Sequence, residues 1–210
     1  MSTKTTTIKT LIEQVVADTS ATLTARNPAV ARLAAHGARA LRPVLRAMHG
    51  PYPPEQHPRD VVEALGLVLH EMARRDPQPL IDLLDHDGAP ADPQLSFVVG
   101  ALAEAPKQLA LEPLVRALLR HRDSLVRWCA AGALIKLRSK QAIIPLVAAL
   151  RDRSPMVKGE IIAAMRRSKF FRTKEATEPL RRIVASKRIK TQWPGLWGDA
   201  RAVLAELEPV

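Results

Sequence analysis

Basic residues recur in register across two neighbouring stretches of this chain, and one tryptophan stands among them. Sliding the sequence by 31 residues, so that Ala133 meets Ala164, sets Arg120 over Arg151, Arg122 over Arg153 and Arg127 over Lys158. The same shift sets Lys136 over Arg167 and Arg138 over Lys169. Repeated cations of this kind form rows that repel one another mildly and attract an acidic ligand, over a range of about 8 Å at physiological ionic strength. The segment Arg166-Arg-Ser-Lys-Phe-Phe-Arg-Thr-Lys174 adds further cations around two rings, and Arg181, Arg182, Lys187, Arg188 and Lys190 follow. Cations meet phosphates and rings stack on bases, so this mixture suits nucleic acid as well as acidic protein. Two structural readings compete: an ordinary solvated charged face, and Phe170 or Phe171 turning into the core. Trp128 lies about 160° around a helix from Ala130, the centre of an apolar stripe. That angle turns it outward beside Arg127, the composition of a binding hot spot; packing against an adjacent helix is the alternative.

Catalytic chemistry finds less support. The cluster Asp82-Leu-Leu-Asp85-His86-Asp87-Gly88 lacks the alternating ligands and closing Glu of a calcium loop. His49 and His57 flank a proline-rich loop without a clear third ligand. Neither a nucleophile elbow nor a phosphate-cradling glycine loop is present. Cys129 sits among small apolar residues, the setting of an inert packed thiol. No catalytic residue, metal site or cofactor is expected.

The charge balance sharpens the binding reading. The 210 residues carry a net charge of +11. Residues 1–110 hold 11 Lys/Arg against 12 Asp/Glu, whereas residues 111–210 hold 21 against 9. All the excess therefore lies in the second half, which bears on partners rather than on fold. A hydrophobic content of 47% supports a buried core, and 3% aromatics with abundant Ala, Leu and Arg favour helix over strand. The single cysteine excludes an internal disulfide framework. No apolar run reaches the roughly 18 residues of a membrane span, and Met1 to Lys9 does not read as a signal peptide. A cytoplasmic monomer with no membrane partner is expected.

The elements that must position these residues are spaced by prolines. Pro43, Pro79, Pro113, Pro145 and Pro179 each precede an aliphatic residue at intervals of 36, 34, 32 and 34. A near-constant period of that length marks stacked repeats. Each proline is expected to open the first helix of a pair, as over 113–120 and 145–150. Asn27-Pro28, Asp76-Pro77, Asp92-Pro93 and Ser154-Pro155 read as further helix starts. Ile8, Leu11, Ile12, Val15 and Val16 predict an amphipathic helix. In the second helices, Val126, Ala130, Ala133, Leu134 and Leu137 form one apolar stripe, matched by Val157, Ile161, Ala164 and Met165. Trp193 and Trp197, around Pro194-Gly195, read as a capping turn.

The run Leu114 to Leu150, with Asp123-Ser-Leu-Val-Arg127 leading into Ala130-Ala-Gly-Ala-Leu134, resembles the HEAT repeat, in the bacterial variety related to phycobilin lyases. The similarity extends over 113–170, more loosely over 40–112, and fades in 173–208, where Lys187 to Gly198 inserts residues before the second helix. The resemblance implies an all-α, right-handed α-solenoid whose second helices line the concave side, and in which Arg127 pairs locally with an acidic turn residue such as Asp123 or Asp152. It implies a single domain over 1–210, with capping helices in 1–39, regular repeats in 40–172 and an atypical capping repeat in 173–210. HEAT-like alkylpurine DNA glycosylases share the architecture, and Trp128 or Trp197 with Asp199 or Glu160 resembles their groove in composition only. The expected function is a non-enzymatic scaffold engaging an acidic protein partner, with a nucleic-acid-binding, glycosylase-like protein as the alternative. Its contact surface comprises Arg120, Arg122, Arg127, Trp128, Lys136, Arg151, Arg153, Lys158, Arg166, Arg167, Lys169 and Arg172.

Overall fold

The computed structural model describes residues 7–17, 27–52, 56–85 and 94–208, and among these every regular element is helical. The chain divides into two compact units, 1–110 and 111–210.

The first unit contains α1 (Ile8–Ala17), α2 (Pro28–Ala34), α3 (Ala38–Ala47), α4 (Pro58–Arg75), α5 (Gln78–Asp85) and α6 (Gln94–Ala101). α4 is its hub, packing against α1, α2, α3 and α6. Val61, Ala64, Leu65, Val68, Leu69 and Met72 recur at helical spacing and are all buried. Such spacing puts one apolar face on the helix, and burying it is the main drive for packing. The expected helix over residues 8–16 is α1, with Leu11 and Val15 inward. Asn27 caps α2 by accepting the Ala29 amide at 2.7 Å, ahead of Pro28 at the first helical position. Asp76 likewise accepts the Gln78 amide at 3.1 Å, and α5 starts at Gln78. α2 and α3 are separated by Gly37, whose φ of +52° lies where side chains are disfavoured. The proposed start at Asp92-Pro93, and His86, Asp87 and Gly88 of the acidic cluster, lie outside the described residues.

α7 (Lys107–Arg120) leads into the second unit, followed by α8 (Ser124–Leu137), α9 (Ile143–Ala149), α10 (Pro155–Arg167), α11 (Thr177–Ala185), α12 (Lys187–Gln192) and α13 (Pro194–Leu207). α10 lies between α8 and α13 and packs against both, while α13 also packs against α11 and α12. Both apolar stripes expected in the second helices are buried, completed by Ala131 on α8 and Ile162 on α10. The second helix of the last repeat begins at Pro194, and the inserted residues before it form the short helix α12.

The repeated prolines do not open their helices. Pro43 and Pro113 lie inside α3 and α7, and Pro79, Pro145 and Pro179 lie one or two residues past a helix start. Early positions tolerate proline because the first four amides of a helix lack an intrahelical acceptor. In α7, the good helix formers from Lys107 to Glu112 carry the helix through the proline. Ser154 precedes α10 as expected, but its side chain makes no capping bond; its own amide donates to Asp152 at 2.7 Å.

Candidate functional site

The turns before α8 and α10 carry the first half of the basic series. Asp123 caps α8 by accepting the Leu125 amide at 2.8 Å, which fixes the first turn and aims Arg127 at the next repeat. Arg127 then grips Asp152 with two bonds, Nε to Oδ2 at 2.7 Å and Nη2 to Oδ1 at 2.9 Å. Its Nη1 donates to the carbonyls of His121 and Arg122 at 2.8 and 2.9 Å. Arg127 and Asp152 side chains are only 11% and 10% exposed, so this pair staples one repeat to the next instead of facing a ligand. Of the two acidic turn residues that the sequence offered, Asp152 is the partner. Burial opposes ionisation of Asp152, but the Arg127 bond, the Ser154 amide and the charges of Arg127 and Lys158 outweigh it and hold its pKa below the usual value. The Asp152 bond likewise raises the pKa of Arg127.

Lys158, on the first turns of α10, donates to the Asp152 carbonyl at 2.8 Å. Burial lowers its pKa; the Asp152 charge opposes that and the Arg188 charge adds to it. Arg120, Arg122, Arg151 and Arg153, at the same end of these helices, are exposed and form no ion pair among the described residues.

The second half of the series lies at the opposite end of α8 and α10, about 13 Å away along each axis. There the cations meet partners. Arg166 pairs with Asp199 of α13, and Arg167 with Glu160 at 3.7 Å. Arg172 pairs with Glu206 and donates to the carbonyls of Met165 and Arg166 at 2.7 and 3.0 Å. Arg138 ends α8 in the left-handed region, φ 48°, with its guanidinium 5.2 Å from the centroid of Phe170. Phe170 meets Phe171 edge to face at 4.9 Å, and Phe171 is buried. One of the two rings thus turns into the core, as one of the sequence readings held. Lys136 and Lys169 are exposed.

Trp128 is half-buried on α8. Trp197 donates its indole N–H to the Val184 carbonyl at 2.8 Å, with Lys190 and Arg201 at 5.1 and 5.6 Å from its ring, which ties α13 to α11. Trp193 is 47% exposed, a large apolar side chain left at the surface. Burial pushes the Cys129 thiol up to about 11, helped by the charges of Asp123 and Glu160, so the nucleophilic thiolate is scarce at neutral pH. Among the described residues no three His, Cys, Asp or Glu side chains gather as metal ligands. No described helix is long and apolar enough to cross a membrane.

Beside the Arg151–Arg153 turn, two adjoining cavities of about 320 and 220 Å³ share Lys158, Ser186 and Ile189. They gather Arg151, Arg153 and Lys158 from the basic series with Arg182 and Arg188, which the sequence offered as extending the basic patch, and with Trp193, which it read as part of a capping turn. The basic run Lys187-Arg-Ile-Lys190 was visible as charge. Its approach to α10 depends on how α12 folds back, which periodicity does not encode.

A family model described as HEAT repeats matches residues 77–166 and, in a second register, 111–190. No curated protein matches the chain.

Proposed function

The chain belongs to the HEAT-repeat family, an all-helical α-solenoid class, and on that premise we propose that it is a non-enzymatic scaffold whose basic second unit engages an acidic protein partner. One observation carries this reading. Arg120, Arg122, Arg151 and Arg153 project from neighbouring turns with no ion pair among the described residues, in a half of the chain with 21 cations against 9 acids. Four like charges so placed repel one another, and an acidic surface relieves that repulsion while steering its own approach.

Several details favour protein over nucleic acid. The two phenylalanine rings of the basic segment are engaged elsewhere, Phe171 in the core and Phe170 under Arg138, which leaves Trp193 and the half-buried Trp128 for any stacking. The carboxylates that a glycosylase-like reading would use are occupied as well, since Asp199 holds Arg166 and Glu160 holds Arg167. Within the scaffold reading, Lys136, Lys169 and Trp128 extend the contact surface, whereas Arg127, Arg166, Arg167 and Arg172 mainly support it.

Fluorescence anisotropy with labelled poly-L-glutamate and with duplex and single-stranded DNA, at several salt concentrations, tests the proposal. Poly-L-glutamate is expected to bind and to lose at least about tenfold in affinity when Arg120, Arg122, Arg151 and Arg153 are all changed to Glu. Absence of poly-L-glutamate binding at about 0.15 M salt would sink it. DNA bound about tenfold more tightly than poly-L-glutamate, with a steep salt dependence, would replace it with the nucleic-acid reading.

A further inference from the structure

We propose that the cleft between the α9–α10 turn and α11–α12 is a docking groove for a short acidic peptide segment carrying one large apolar side chain. This deepens the scaffold reading and rests on it.

The floor of the larger cavity is aliphatic, formed by Leu150 at the end of α9, Pro179 and Ile183 of α11, and Ile189 of α12. Arg151 and Arg182 stand on its rim. The smaller cavity continues past Lys158 and is bordered by Arg153 and Arg188, with Trp193 as its aromatic wall. An apolar floor between two basic margins selects for a matching pattern, an apolar residue flanked on both sides by carboxylates. A volume of about 320 Å³ holds one large side chain, at the low end of the range for small-molecule pockets.

The charges here are poorly compensated. Glu178 engages Arg182 at 2.8 Å, and its charge also reaches Arg151 without an ion pair. The Asp152 carboxylate is occupied by Arg127 and by the Ser154 amide. Arg151 and Arg153 form no ion pair among the described residues, and Arg188 bonds only to the neutral Gln192 side chain, at 3.0 Å. Lys158 has three donor hydrogens and one acceptor among the described residues, the Asp152 carbonyl. A carboxylate entering the cleft would meet Lys158 with unused donors and Arg188 close enough to perturb it. The aliphatic floor of the larger cavity suits an apolar side chain, while Trp193 at the smaller one offers a ring to a side chain or a base, alternatives that the test below separates.

The test uses the full chain and three labelled probes at about 0.15 M salt: the peptide Asp-Glu-Leu-Glu-Asp, the same peptide with Ser at its centre, and poly-L-glutamate. The Leu peptide is expected to bind about tenfold more tightly than the Ser peptide, the increment of one buried aliphatic side chain. Arg153→Glu with Arg188→Glu, both surface changes, is expected to weaken the Leu peptide by at least about tenfold with an unchanged melting curve. Lys158→Met, which keeps the apolar stem, is expected to act in the same direction. Equal affinity for the two peptides would overturn the groove, as would a folded double variant that binds the Leu peptide normally. If poly-L-glutamate still binds in either case, the scaffold reading stands without the groove; if it fails to bind the unaltered chain, that reading fails too. An oligothymidylate that displaces the Leu peptide and binds more tightly than it would assign the cleft to nucleic acid and overturn the peptide.

Discussion

At the carboxyl end of α10, Arg166 reaches Asp199 and Arg172 reaches Glu206, both acids supplied by α13. At its amino end, Asp152 is spent on Arg127 and Glu178 on Arg182; Arg151 and Arg153 form no ion pair among the described residues, although the Glu178 charge reaches Arg151. Arginines and lysines crowd both ends; the acids facing them differ. Because α13 packs along α10, its acidic residues pair with cations at one end, while at the other Asp152 and Glu178 offset the positive field only in part. A count of cations therefore does not locate a binding surface. The supply of opposing charge from the neighbouring element does.

The largest effect that would probe this contrast falls on Asp152. Asp152→Ala leaves the nearly buried Arg127 uncompensated and removes the acceptor for the Ser154 amide. A loss of about 3 kcal/mol in urea unfolding is expected. The same carboxylate carries a pH signature. Its folded pKa lies below the unfolded value, so its contribution is fully present above about pH 4 and is lost as pH falls through the folded value. The stability of Asp152→Asn should fall less steeply than that of the unaltered chain below pH 4.

Next in size is binding. The fourfold Glu variant at Arg120, Arg122, Arg151 and Arg153 should lose at least about tenfold in poly-L-glutamate affinity, about 1.4 kcal/mol, while stability changes by under about 0.5 kcal/mol. Reversal of Arg166 and Arg167 should change binding far less than the equally sized reversal of Arg151 and Arg153; equal losses at the two ends would break the comparison.

Arg172→Ala should cost about 1–2 kcal/mol of stability, since its side chain, 13% exposed, ties two carbonyls at the end of α10 as well as Glu206. The smallest effect is expected at Arg166. Its pair with Asp199 is well exposed on both sides, and Arg166→Ala should stay within about 0.5 kcal/mol by thermal melting.

Much of the repeat core was legible in the residues. Val126 to Leu137 and Val157 to Met165 fall at helical spacing, and burial of such a stripe is the least negotiable demand on a helix. The prolines gave the period correctly and the helix starts wrongly, because a proline is tolerated at several early positions and only flanking helix formers decide which one it takes. Phe170 and Phe171 are adjacent and chemically identical, so sequence could not say which would enter the core. The cleft at Lys158 was harder still. Arg153 and Arg188 are 35 residues apart, and no local rule sets them around one cavity.

The sequence by itself determined the helices, their repeat, their buried faces and the excess of positive charge, because these follow from periodicity and composition within single elements. Only the tertiary structure decided which cations are neutralised and which remain available. Ion pairing depends on approaches of a few ångströms between side chains from different helices, and those distances exist only once α8, α10, α12 and α13 have packed.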